Sequence, residues 1–270
     1  MNDYPFEPSP QREAPKSSGG GFARFFIWFS FIICAIGVIG LIINPVNNAT
    51  YRALGHLSIF GFMISSILLN KQTPGRVVLG LIYVGFAVAV YNSEFRPPNP
   101  NQFTNRFVNQ VKSYNKVRYR FGGESFLGMD SSGLVRRSLI VTYLKLAFFE
   151  GKVGLVKRAY SVWMEKIALS TLMLNENPYT KVIGTFQSIN SLDSRILKNG
   201  DLAISSQGTL VAIYLGNKLW ATSDSSANGV FIERMPANKY GIFRVEVKVV
   251  RFKDSIVAPA AAGDTESKKQ

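Results

Sequence analysis

The 270-residue sequence contains one cysteine, Cys34, and one histidine, His56, and both fall in apolar stretches near the N-terminus. A disulfide within the chain is therefore impossible, and cysteine usage carries no information about redox compartment. Downstream of His56 neither residue occurs. No thiolate–imidazole nucleophile can form there, the usual zinc ligand sets are missing, and neither a metal nor a cofactor is expected. At the start of an apolar run, His56 itself reads as an interfacial residue rather than an intramembrane functional group.

Acidic residues are also scarce, with 17 Asp and Glu against 31 Lys and Arg and a formal net charge of +14. In a soluble protein that balance would point to nucleic acid. No helix-turn-helix, zinc-finger or aromatic RNA-binding signature accompanies it, so no nucleic-acid partner is expected. Basic residues held near anionic lipid or an anionic cell wall are the simpler account. No internal repeat is present.

Apolar residues make up 47% of the chain and are unevenly spread. Three runs, Phe25 to Asn44, Ala53 to Leu69 and Val77 to Tyr91, are nearly free of charge. A helix needs roughly 20 apolar residues to cross the hydrocarbon core. The first run exceeds that need, the second just meets it, and the third does so if Arg76 and Asn92 reach to the interfaces. The alternative for the second and third runs is one re-entrant hairpin. The first is too long for a cleaved signal peptide, and no small-residue cleavage site follows it. Arg12, Lys16 and Arg24 precede the first run, Arg52 is read as part of the first short loop, and Lys71 and Arg76 belong to the second. The positive-inside rule then places the N-terminus in the cytoplasm and everything after Tyr91 outside it, with the lipid bilayer as a partner.

The expected organisation is a disordered cytoplasmic segment (1–22), three transmembrane helices (23–92), a Pro-rich linker (93–103), a folded domain (104–253) with a helical insertion at about 150–175, and a disordered tail (254–270). Within the domain, Asn105 to Tyr114 reads as helical. Asp130, Ser131 and Ser132 form a helix start, because their oxygens accept from unpaired N–H groups, and the helix continues to Phe149. Gly151 and Gly154 interrupt it before a second helix, Leu155 to Leu174. From Gly200 onward the short segments "DLAISS", "TLVAIYLG", "KLWATS", "VFIER" and "FRVEVKVVRF" read as an antiparallel sheet, which makes the domain α+β.

The second helix has three readings. Its apolar residues Leu155, Ala159, Val162, Trp163, Ile167, Leu172 and Met173 form no clean stripe, while Lys152, Lys157, Arg158 and Lys166 give it a basic flank. It covers the core, lies among lipid headgroups, or fills a groove.

The stretch "YRFGGESFLGMDSSGLV", followed at a distance by "LKNGDL" and "LVAIYLG", resembles the NlpC-type cell-wall endopeptidases, bacterial relatives of papain. That family pairs a Y-x-W-G-G and D-C-S-G-L-V pattern with a later G-D-L and H-V-G-I-Y-L-G. The matching residues here are Tyr119, Phe121, Gly122, Gly123, Asp130, Ser132, Gly133, Leu134 and Val135. Ser131 stands in the nucleophile's place, Leu210 in that of the histidine, and Ala221 or Thr222 near that of the third polar residue. Together with the three N-terminal transmembrane α-helices read from the apolar runs, the resemblance implies an α+β papain-like (NlpC-type) domain with an antiparallel sheet. It also implies a bacterial inner-membrane location and a peptidoglycan peptide or an envelope protein as partner.

A serine in the nucleophile's place needs a base to take its proton, and the usual base is absent. A desolvated lysine could serve, but none lies near Ser131 in sequence. The expected function is a membrane-anchored, catalytically inactive domain that binds through a groove containing Tyr119, Asp130, Ser131 and Ser132. The alternatives are a hydrolase or acyltransferase using Ser131, and a structural subunit of an envelope complex.

Overall fold

A computed structural model describes residues 19–44, 48–165, 168–174 and 177–256. The disordered ends expected at 1–22 and 254–270 fall largely outside the described residues; where they are described, Gly19 to Phe22 already belong to the first helix and Asp254 is buried in a 3-10 turn.

Three helices come first: α1 (Gly19–Ile43), α2 (Ala49–Leu69) and α3 (Thr73–Asn92). Each is long and apolar enough to cross a membrane, and α3 is one continuous helix of 20 residues, about 30 Å at 1.5 Å per residue. Arg52 lies within the first turn of α2 rather than in the loop, because Asn48 caps the helix by accepting from the Tyr51 N–H at 2.8 Å. α1 and α2 pack through small residues, with Gly37 against Ser58 and Gly61 against Cys34. Close backbone approach of this kind is how helices associate where lipid supplies no hydrophobic drive.

After an extended stretch, α4 (Pro100–Ser113) begins inside the segment expected to be linker. Asn99 caps it, accepting from the N–H groups of Asn101 and Gln102, and Pro100 sits where a missing N–H costs nothing. Two short strands, β1 (Glu124–Ser125) and β2 (Gly128–Met129), precede α5 (Ser131–Glu150), which Gly151 ends in the left-handed conformation. α6 (Gly154–Glu165) and α7 (Leu169–Leu172) replace the single helix expected to reach Leu174. Ala168 between them is extended, and the break turns Leu169 and Leu172 into the core, where Asn177 donates to the Leu172 and Leu174 carbonyls.

The six-stranded antiparallel sheet comprises β3 (Thr180–Phe186), β4 (Leu202–Ser205), β5 (Val211–Gly216), β6 (Leu219–Asp224), β7 (Gly229–Arg234) and β8 (Val247–Phe252), ordered β3-β8-β4-β5-β6-β7. Strand β3 is not evident from the sequence, since Gly184 interrupts its pattern and a register shift falls there. Asn217 and Lys218, both at positive φ, close the tight β5–β6 hairpin. The "NGDL" segment is structural: buried Asp201 pairs with Arg251 at 2.7 Å and accepts the Lys198 N–H at 2.8 Å. One sheet face packs against α4, α5 and α6; the other is closed by a second cluster around Trp220 and Phe243.

One face of α6, carrying Leu155, Ala159 and Val162, is buried in the domain core. Its other face meets the membrane helices: the Tyr160 hydroxyl lies 2.8 Å from His56 Nε2, and Trp163 packs on the same imidazole. Lys166 and Ile167 lie outside the described residues.

Near the C-terminus, Asp254 accepts a hydrogen bond from the Tyr143 hydroxyl inside the core. Burial lifts its pKa above the ordinary aspartate value, while the Tyr143 hydrogen bond and the charge of Arg158 pull it down less strongly. The native state therefore holds this proton more tightly than the unfolded chain. Stability should fall as pH rises from the ordinary aspartate range through the raised value. Asp254→Asn should remove that decline in a plot of thermal midpoint against pH. An unchanged slope would assign it to other groups.

Candidate functional site

The site is built where the β1–β2 loop meets the head of α5. Asp130 is the N-cap: its Oδ1 accepts the Gly133 N–H at 2.6 Å and the Ser132 hydroxyl at 2.8 Å. Its Oδ2 accepts the Gly122 N–H at 2.8 Å. One carboxylate thus ties the glycine loop to the helix start and also complements the positive end of the helix dipole. Gly122 adopts φ +67°, a conformation that strains any side chain. Gly133 faces the Gly123 carbonyl so closely that a methyl group would overlap it. Most of the motif's spacing is thereby explained by how loop and helix dock.

Ser131 follows the cap on the first turn of α5 and is 4% exposed. No hydrogen bond of its hydroxyl is formed among the described residues. Behind it, Glu124 on β1 and Arg136 on α5 form an ion pair whose side chains are each 7% exposed. A buried pair of this kind holds loop to helix and offers no free base. Tyr119 stands half-buried at the rim, its N–H donating to Asn228 O at 3.0 Å. Burial chiefly, then the carboxylates of Asp130 and Asp224, raise its hydroxyl pKa. Tyr119 is therefore a neutral hydrogen-bonding group at neutral pH, flanked by two acidic side chains.

The residues in the places of the histidine and the third polar group do not converge. Ala221 on β6 belongs to the cluster containing Met129, Leu134 and Val135, on the face that packs against α5. Leu210, just before β5, packs on the second cluster, on the opposite face. Side chains alternate along a strand, so Val211, one residue on, is the one in the α5-facing cluster. Thr222 is turned to the backbone, donating to Val211 O at 2.7 Å. The polar β6 residue that reaches the loop is Ser223, which donates to Met129 O at 2.7 Å.

No protein-family model matches the sequence, and no curated protein matches it. Among solved structures, the peptidoglycan hydrolase RipB of Mycobacterium tuberculosis is similar to it. The likeness covers 68% of this chain and 87% of that one, at 19% identity and a TM-score of 0.35.

Four residues of the site do not stand out in the sequence: Glu124, Arg136, Ser223 and Asp224. Asp224 carried a usable signal, because "DSS" at 224–226 repeats the capping pattern of 130–132, and its carboxylate accepts the Ser226 N–H and hydroxyl at 2.7 Å. Glu124 and Arg136 had none, since a paired charge in a motif loop looks like any solvated one. Among the described residues no three of His, Cys, Asp and Glu gather in a set that could hold a metal ion.

Proposed function

We propose that this chain is a membrane-anchored, NlpC-type domain that retains the loop-and-helix frame of a papain-like site and binds a cell-wall peptide or an envelope protein without cleaving it. The observation that carries this reading is the chemistry at the head of α5. Ser131 is a buried hydroxyl, its neighbour Asp130 is engaged by three donors, and Glu124 is committed to Arg136. The Ser131 hydroxyl forms no hydrogen bond to either carboxylate among the described residues, and a serine without a base is a poor nucleophile. Binding needs only shape and a few placed polar groups, and Tyr119 with Asp130 and Asp224 supplies an acidic rim suited to a peptide's amino group.

The full chain in detergent should release no fragments from cell-wall peptides by mass spectrometry and should not react with a fluorophosphonate probe. Labelling that disappears in Ser131→Ala would overturn the reading in favour of a serine-dependent hydrolase or acyltransferase. The domain is proposed to lie outside the cytoplasm, as the flanking charges imply. A reporter active only after export should work when fused after residue 255; activity of a cytoplasm-only reporter there would reverse the orientation.

A further inference from the structure

The chain leaves α3 at Asn92 and runs extended from Ser93 to Asn99, alongside the first turns of α6. Gly154 lies so close to the Glu94 carbonyl that any side chain there would collide with it. Lys157 Nζ donates to the Tyr91 carbonyl at 2.9 Å. Between this extended segment and α6 open two adjoining hollows of about 510 and 440 Å³, which share Asn92, Ser93, Glu94 and Gly154 in their walls.

Four cations edge this cleft: Arg96, Lys152, Lys157 and Arg158. Lys152 pairs with Glu150 at 2.6 Å, but among the described residues Arg96, Lys157 and Arg158 belong to no ion pair. Glu94 is the one carboxylate in the lining. Arg158 is held in place by the rings of Phe95 and Tyr179, at 5.0 and 4.1 Å, and its Nη2 donates to the Pro178 carbonyl at 3.1 Å, while its Nε is buried without a hydrogen-bond partner. Elsewhere on the surface such charges would be solvated and unremarked. Here they edge a cleft whose own lining carries one carboxylate, with Glu150 beside Lys152 and the buried Asp254 behind Arg158.

The height of the cleft decides what it faces. It sits where α3 ends, beside Tyr91, on the side where Tyr160 and Trp163 meet His56 of α2. Tyr and Trp gather at headgroup level, so the cleft opens among the phosphates of the leaflet. Below it, Val84, Val88 and Tyr91 recur at helical spacing on α3 and are exposed, an apolar track for an acyl chain.

We propose that this cleft holds the phosphodiester headgroup of an anionic phospholipid. A headgroup would meet the three unpaired cations while its tails follow α3, and the bound lipid would fix the domain's stance over the membrane. This does not depend on what the head of α5 binds.

The test is native mass spectrometry of the full chain in detergent, titrated with phosphatidylglycerol or phosphatidylcholine. Phosphatidylglycerol should be retained preferentially. Each cation removed should weaken its binding about fivefold, so Arg96→Gln with Lys157→Gln should cost roughly 25-fold. Arg96→Glu, at an exposed position without a partner among the described residues, should cost more than Arg96→Gln and leave the thermal midpoint unchanged. The same loss of charge outside the cleft, Lys181→Gln with Lys239→Gln, should leave retention unchanged. Equal retention of both lipids, or equal loss from the distant pair, would overturn the proposal. So would displacement of phosphatidylglycerol by excess inorganic phosphate, which would make the ligand a soluble phosphate instead.

Discussion

Gly133→Ala should leave little folded domain. In an exposed helix the change would gain about 1 kcal/mol from better propensity. At Gly133 the added methyl would overlap the Gly123 carbonyl, and that carbonyl cannot retreat, because it accepts the Asp130 N–H at 3.1 Å. Moving either partner breaks the cap that joins loop to helix. Overpacking costs 1–3 kcal/mol where side chains can yield and more where backbone must, so a loss of about 4 kcal/mol or more is expected. Thermal unfolding of the full chain in detergent measures it, and trypsin cleavage after Arg120 in the opened loop gives a local readout. Gly241→Ala is the control: nothing lies within 4 Å of the position a Cβ would take, and the change should be nearly neutral. A Gly133→Ala protein as stable as the parent would mean that loop and helix do not dock as described.

The second large effect is at the buried ion pair. Arg136→Met should destabilise the domain by about 3–5 kcal/mol, because it leaves the Glu124 carboxylate buried without its cation. For a domain of this size that is a fall of roughly 10 °C in thermal midpoint. Glu124→Leu should cost a similar amount for the mirror-image reason. The double substitution should recover most of the loss, since two apolar side chains of similar volume need no compensation. Additive losses would show that the two residues act separately, and single effects under about 1 kcal/mol would show that the pair is reached by water. A stable double variant that still binds its ligand would confine the pair's role to holding the loop.

The apolar runs were legible because a membrane span is a local property: about 20 residues without charge suffice, whatever surrounds them. The helix start at Asp130 was legible for the same reason, as capping joins neighbours in sequence. Strand β3 was not, since its pattern is broken at Gly184 and its pairing with β8 joins segments some 70 residues apart. Nor was the break at Ala168, where burial of Leu169 and Leu172 overrides a sequence that would continue as helix.

By itself, the sequence determined one point of chemistry beyond dispute by any fold: downstream of His56 there is no thiol and no imidazole to place. It also determined the three membrane-length helices and the order of the domain's long helices before its main antiparallel sheet. Only the tertiary structure decided which residues meet. Leu210 lies one residue from a position facing α5, and because strand side chains alternate, that single step puts it on the far side of the sheet. Glu124 and Arg136 became a buried pair, and Arg96, Lys157 and Arg158 became the wall of one cleft, through packing between distant segments. Charge and composition are sums over a chain, whereas a site depends on distances, and distances between remote residues are set only when the core closes.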